Sequence, residues 1–233
     1  MKRAMRKPKV VFFIIILCLI LPCFTIIHAF GYAGEKIVYA ISPLGIAEYN
    51  DEGLTELNGK KVRLISFRSR FIGFDDLEKI YSDPVTLLPL RVERLVKILL
   101  GKEYLVEVYT PQKNTLVITK FINNKKVKEY NFKADGPIHN AITLPFYLRT
   151  LSNLDIGWSF TARLPNQIKV NLTSIDDIEV PAGKFKAYHF TSIPKKFEIW
   201  ISKDEYRIPI KIKGLSGYNY TMLMKKHYLR EKY

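Results

Sequence analysis

Residues 197–213 read FEIWISKDEYRIPIKIK. Phe197, Ile199 and Ile201 alternate with Glu198 and Trp200; after the turn residues Lys203 and Asp204, Ile208, Ile210 and Ile212 alternate with Pro209, Lys211 and Lys213. Successive side chains of a strand point to opposite faces, so a period of two marks a strand with one buried face. Two such runs joined by a short turn make an antiparallel pair.

The same period extends outward in both directions. It returns in Trp158, Phe160 and Ala162, in Ile168, Val170 and Leu172, in Tyr104, Val106 and Val108, and in Tyr218, Tyr220, Met222 and Met224. Within residues 61–71 the phase slips between Leu64 and Ile65, which predicts a bulge that bends a long strand. Turn residues punctuate the runs at Asn58-Gly59, Asp83-Pro84, Gly101-Lys102, Asn123-Asn124, Pro181-Ala182-Gly183, Lys203-Asp204 and Gly214. Short connections predict a mainly β chain of about ten to twelve strands, a curved antiparallel meander forming a half-barrel or barrel-like sheet. One helical interruption is expected over residues 140–151, capped by Asn140. Pro145 there lacks the amide that would bond to Ala141, which predicts a kink or two short turns. With no Ser/Gly-rich linker, residues 34–233 read as one domain.

The 233 residues are 48% hydrophobic, with 14 Tyr and 14 Phe, too apolar for a disordered chain. The net charge is +15, but Lys2, Arg3, Arg6, Lys7 and Lys9 precede an uninterrupted apolar run from Val10 to Leu21. That order is an export signal, with Pro22 breaking the helix and cleavage favoured after Ala33. An uncleaved anchor is the alternative, because residues 10–29 are long enough to cross a bilayer. Residues 1–33 are therefore assigned as signal peptide or anchor, and the chain is placed in the periplasm. Both cysteines, Cys18 and Cys23, lie in that segment, so the mature chain has no disulfide or thiol nucleophile. Without the five N-terminal cations a surplus of about ten positive charges remains, which favours anionic neighbours.

Several segments, in this order and spacing, resemble the bacterial envelope proteins of domain-of-unknown-function family 3108. They are Gly34 to Tyr39 with Leu44 to Ala47, Tyr81 to Pro84 with Leu87 to Leu90, Phe146 to Arg149, Val180 to Phe185, Ile199 to Asp204 and Arg207 to Ile210. The match spans residues 34–228. The resemblance implies an exported, mostly antiparallel β protein, related in architecture to the half-barrels of outer-membrane lipoprotein carriers, and it supplies no catalytic residues. The family's Asp-Pro before the helix is Asn140-Ala141 here, and Pro145 replaces a leucine, which puts the helix's regularity in question.

No residue pattern announces a reaction. His189 shares a strand face with Phe185 and Ala187 and reads as a sheet histidine; Asp135 and His139 are spaced to orient an imidazole, although a capping role fits a Gly-Pro loop better. The acidic pairs Asp75-Asp76, Asp176-Asp177 and Asp204-Glu205 are adjacent in sequence and so diverge across a strand. Metal-ligand motifs, nucleophile elbows and phosphate loops are missing, so neither enzyme, metal nor cofactor is expected. Arg68 and Arg70 share a face and, with Lys211 and Lys213, are candidate contacts for anionic head groups. Trp158, Phe160, Trp200, Tyr218, Tyr220, Met222 and Met224 are candidate linings for an apolar ligand, since methionine among aromatics adapts to flexible chains. The expected function is a non-enzymatic protein that binds or carries an apolar or amphiphilic envelope molecule, lipid or lipopolysaccharide. The alternatives are a structural or protein-interaction module of envelope assembly and, behind it, a cell-wall glycan hydrolase. Nucleic acid is not an expected partner.

Overall fold

The computed structural model describes residues 33–99, 101–215 and 219–229. The expected export segment up to residue 32, both cysteines and Tyr218 lie outside them. Fourteen strands run β1 (Lys36–Ser42), β2 (Gly45–Leu57), β3 (Lys60–Phe71), β4 (Phe74–Ser82), β5 (Pro89–Ile98), β6 (Gly101–Thr110), β7 (Thr115–Ile122), β8 (Lys125–Lys133), β9 (Ser159–Leu164), β10 (Asn166–Val180), β11 (Gly183–Ile193), β12 (Phe197–Ser202), β13 (Pro209–Gly214) and β14 (Tyr220–Tyr228). Among the described residues, one α-helix, α1 (Leu144–Leu148), and one 3-10 turn, Pro111–Lys113, interrupt them. The sheet order is β8-β7-β6-β5-β4-β3-β2-β1-β14-β13-β12-β11-β10-β9 and every pairing is antiparallel. Strands β8 and β9 end that order unpaired with each other, so the sheet stays open.

The meander is as expected, with more strands than the ten to twelve read from the sequence. The extra ones come from the N-terminal half, where polar residues on the inner face hide the alternation. In β6 the apolar set Tyr104, Val106 and Val108 occupies the outer face; Glu103, Leu105, Glu107 and Tyr109 point inward.

Curvature enters at irregular pairings. The slip read at Leu64/Ile65 is a bulge on the facing strand: Asp51 pairs with Ile65 and Gly53 with Leu64, leaving Glu52 as the extra residue of β2. Gly53 takes φ +85°, and its amide donates to Asp51 Oδ1 at 3.0 Å. A second bulge opposes Trp200 and Ile201 to Lys211 and Pro209, so the proline's missing amide breaks no regular ladder. The Pro209 carbonyl accepts the Tyr39 hydroxyl at 2.8 Å, which ties β13 to β1 across β14.

The inner face carries the core. Ile37, Tyr39, Ile41, Ala47 and Tyr49 from β1 and β2 pack with Phe190, Ile199, Ile201, Ile210 and Met224 from the C-terminal strands. Residues 134–158 cross this face, and α1 presses Phe146 flat on Tyr49, with ring centroids 3.7 Å apart and 10° between planes. Asn140 caps as expected, its Oδ1 accepting the amides of Ile142 (2.8 Å) and Thr143 (3.2 Å). The helix is one turn long and Pro145 sits in its first positions, where no amide is needed, so there is no kink.

Candidate functional site

Between residues 141–146 and the inner face lies a cavity of about 80 Å³. Its walls are Tyr39 and Phe67 from the first strands, Ile199 and Ile212 from β12 and β13, Tyr220 and Met222 from β14, and Ile142 and Phe146 from the crossing segment. Each strand residue gets there by pairing in phase: Ile199 faces Ile212, Ile212 faces Met222, and Met222 faces Ile41.

One side of this apolar space borders an ionic wall. Glu78 pairs with Phe67 on one side and Arg94 on the other, which puts all three on the inner face. Arg94 donates to Asp76 at 2.6 Å and lies 3.5 Å from Glu78. Tyr109 donates its hydroxyl to Glu107 at 2.5 Å. Burial, opposed by Arg94, pushes the Glu78 carboxyl up to about 7, with Asp76 and Glu107 adding to the rise. Burial likewise raises Glu107, against the Tyr109 hydrogen bond and the Arg94 charge. The Glu78 charge reaches Tyr220 in the cavity wall, so the apolar and ionic surfaces adjoin.

A second buried ionic group pins the crossing segment. Glu35, fully buried, accepts Arg149 Nη1 at 2.7 Å and contacts His227 Nε2 at 2.9 Å. Burial pulls the Glu35 carboxyl upward, yet the His227 hydrogen bond and the Arg149 charge outweigh it and hold it below its ordinary value. Arg149 also donates to the Tyr206 carbonyl at 2.8 Å. In β2 and β3, Arg63 donates to Asp51 at 2.8 Å and 2.5 Å.

The expected lining divides. Met222 and Tyr220 line the cavity, and Met224 is buried on the same face. Trp158 and Phe160 face inward but pack beside it: Phe160 lies 5.3 Å from both His139 and Tyr147, and Trp158 6.1 Å from Phe190. Trp200 is a correction. Its neighbours Ile199 and Ile201 take the inner face, so Trp200 points outward, stacked on His189 at 4.1 Å with its indole N–H donated to Asp176 at 2.9 Å. Lys211 and Lys213 lie 4.4 Å and 5.4 Å above its ring, which buries the tryptophan away from the cavity.

The head-group candidates are therefore outer-face residues already engaged. Lys211 and Lys213 cover Trp200, Arg68 is held by Asp75 at 2.6 Å, and Arg70 is ion-paired with Glu48. Asp75 and Asp76 diverge as expected, one to Arg68 outside and one to Arg94 inside. His139 caps: its Nδ1 accepts the Arg163 amide at 3.3 Å, while Asp135 pairs with Arg163. Burial, aided by the Arg163 charge, drops the His139 imidazole to about 4. His189 Nδ1 meets Ser174 at 3.3 Å and Asp176 at 3.2 Å, and Nε2 has no hydrogen-bond partner among the described residues.

Sequence reasoning missed the ionic wall. Asp76, Glu78 and Ile80 in β4, and Glu103, Leu105, Glu107 and Tyr109 in β6, share a face at period two. A scan for acids at even spacing in the strands on either side of β5 finds them, whereas a scan for adjacent acids does not. Among the described residues, no group of three His, Cys, Asp or Glu side chains is placed to hold a metal, and no helix is long and apolar enough to cross a membrane.

The family model described as Protein of unknown function (DUF3108) matches residues 50–225. Among solved structures, the chain is similar to the beta-barrel-like protein of domain of unknown function DUF1849 from Brucella abortus. The TM-score is 0.53 at 8% identity, covering 86% of this chain and 99% of that one. At that identity the likeness shows the fold alone. A candidate lipoprotein from Parabacteroides distasonis aligns over 86% of this chain and 98% of its own at 8% identity, but its TM-score of 0.24 is below what a shared fold requires. No curated protein matches the sequence.

Proposed function

The chain belongs to the DUF3108 family, and we propose that it is an exported, non-enzymatic envelope protein that receives the apolar part of an amphiphile on the inner face of its sheet. One observation carries this reading: an apolar cavity closed on one side by a one-turn helix and bordered on another by charged side chains. A site for an amphiphile needs both surfaces within one molecule's length.

At about 80 Å³ the cavity has the volume of two or three liquid waters, far too little for an acyl chain. Phe146, Leu144 and Leu148 occupy the place such a chain would take. An isolated turn of helix has no stability of its own, so α1 exists only through its contacts and can be displaced by a ligand that replaces them. Its withdrawal would bare Tyr39, Tyr49 and Phe67, an apolar floor beside the Glu78 wall.

The non-enzymatic half of the proposal rests on the pairing of the acids. An acid raised to about 7 beside an ionised one is the pattern of a general acid and base. Here Arg94 binds both Asp76 and Glu78, and Glu107 is taken by Tyr109, so the carboxylates face protein partners. Reducing ends released from purified cell-wall glycan by the native protein, and not by Glu78→Gln, would overturn it.

The binding test uses delipidated protein incubated with an envelope extract and analysed by native mass spectrometry. Retention of a lipid mass, reduced at least tenfold by filling the cavity with Met222→Trp, supports the reading. Recovery of no lipid overturns it; crosslinking in the periplasm that captures a protein and no lipid then favours an interaction module using the open edges of β8 and β9.

A further inference from the structure

In an antiparallel meander, alternate turns fall at the same end of the sheet. The turns β1 to β2, β3 to β4, β5 to β6, β7 to β8 and β11 to β12 therefore share one rim. Apolar side chains stand at its tips. Ile72 is 90% exposed, Leu99 86%, Leu44 73% and Ile193 61%. The tips at the opposite end read Asn58-Gly59, Asp83-Pro84-Val85, Gln112-Lys113-Asn114, Pro181-Ala182 and Asp204-Glu205-Tyr206, where Val85 (61%) and Tyr206 (36%) are the exposed large apolar residues.

Cations stand just behind these tips. Lys97 and Lys102 flank Leu99, Lys125 follows the β7 to β8 turn, and Lys196 follows Ile193 by three residues. All four are exposed, and none forms an ion pair with a described carboxylate. We propose that this rim docks the protein on an anionic lipid bilayer, with Leu44, Ile72 and Leu99 entering the interface and the lysines meeting the head groups.

A bilayer fits this surface better than a folded partner does. With strands about 4.8 Å apart, tips two strands apart stand roughly 10 Å from one another. Leu99 reaches toward Gly73 of the neighbouring turn while Leu44 and Ile193 project from other turns, so these knobs follow a curved rim and a rigid protein face would have to match all of them at once. A fluid interface accepts each knob independently, and the row of cations behind adds attraction to anionic lipid. The arrangement does not depend on the cavity, although Tyr220 and Phe197, which line the cavity, lie at this same end of β14 and β12.

The experiment uses protein as processed by the cell, with every variant carrying the same N-terminus so that its contribution cancels. Ile72→Trp and Leu99→Trp are mixed with phosphatidylethanolamine vesicles containing phosphatidylglycerol, with or without brominated acyl chains, beside the native protein with its Trp158 and Trp200. The expected result is a blue shift and bromine quenching of the new tryptophan beyond the native background. Vesicle binding should fall at least tenfold in Ile72→Asp/Leu99→Asp, and in Lys102→Glu/Lys125→Glu it should lose its preference for anionic over neutral lipid. Both double variants change exposed turn or edge residues, so an unchanged far-ultraviolet spectrum is expected; should the Asp variant misfold, the tryptophan probes and the charge variant still decide. A tip tryptophan that stays unquenched overturns the proposal. If the Asp variant instead abolishes self-association in sedimentation, the rim joins copies of the chain and the bilayer reading fails.

Discussion

Glu78 shows how one side chain's surroundings set a pH dependence that its position in the sequence does not announce. Its carboxyl, 13% exposed, titrates near 7 in the folded protein and at 4.5 when unfolded, so the folded state holds its proton more tightly. The stability this confers is complete below about pH 4.5 and is lost as the pH rises through 7; at pH 8 the ionised group costs about 3 kcal/mol. Glu78→Gln should therefore raise the melting temperature at pH 8, with the gain shrinking toward zero at pH 4.5, as thermal melts across that range will show. Arg149 is the opposite case, a charge whose removal leaves another stranded. Arg149→Met deprives the fully buried Glu35 of its 2.7 Å partner and should cost about 3–5 kcal/mol in urea denaturation. The sequence could not reveal this pair, because 114 residues separate its members. Trp200 teaches the same lesson from the other side. Period two alone assigns it to the face opposite Ile199, but an aromatic residue invites placement in the core, and only the stack with His189 beneath Lys211 explains its 4% exposure.

Among the elements, legibility follows how cleanly one face is apolar. Strands β12 and β13 and the inner face of β14 were evident from alternation because their inner residues are Ile and Met. Strands β4 to β6 carry Glu and Arg inward, which blurs the period, and β8 is exposed on both faces. Its lysines are still informative: Lys125, Lys126, Lys128 and Lys133 charge an open edge and discourage pairing with another sheet. Within the crossing segment, the helical interruption over residues 140–151 is legible from Asn140 and from the recurrence of Ile142, Phe146 and Leu148. Two amides depend on the Asn140 side chain, so Asn140→Ala should lower stability by about 1 kcal/mol. If α1 is the displaceable cover that ligand entry requires, the same variant should also bind a fluorescent apolar probe such as anilinonaphthalene sulfonate more strongly. A loss of stability with no change in probe binding would mean that the segment is fixed packing.

For the molecule as a whole, the decisive pairing is the one local sequence shows least. Strand β1 lies between β2 and β14, with Lys36 opposite Tyr228, so the first and last strands meet in the middle of the sheet. The two arms, β2 to β8 and β9 to β13, are continuous meanders that form from neighbours in sequence. What makes them one body is β14 against β1, the Tyr39 to Pro209 hydrogen bond over it, and a core drawn from both arms. Closing a loop of nearly the whole chain comes late and is entropically costly, so folding should be slow for the size of the protein, on a scale of seconds or longer. Neither arm can bury its inner face alone, because residues 134–158 lie across both: Phe146 stacks on Tyr49 of β2, and Tyr147 lies 5.3 Å from Phe160 of β9. Unfolding should therefore be a single cooperative transition. Trp200 sits in β12 and Trp158, just before β9, packs against Phe190 of β11, so tryptophan fluorescence reports the second arm, while far-ultraviolet circular dichroism reports both. Coincident urea midpoints by the two probes are expected, with Tyr39→Phe shifting them together. Separate midpoints would divide the chain into two independently stable arms, and a hinge between them would then replace the displacement of α1 as the route by which the inner face opens.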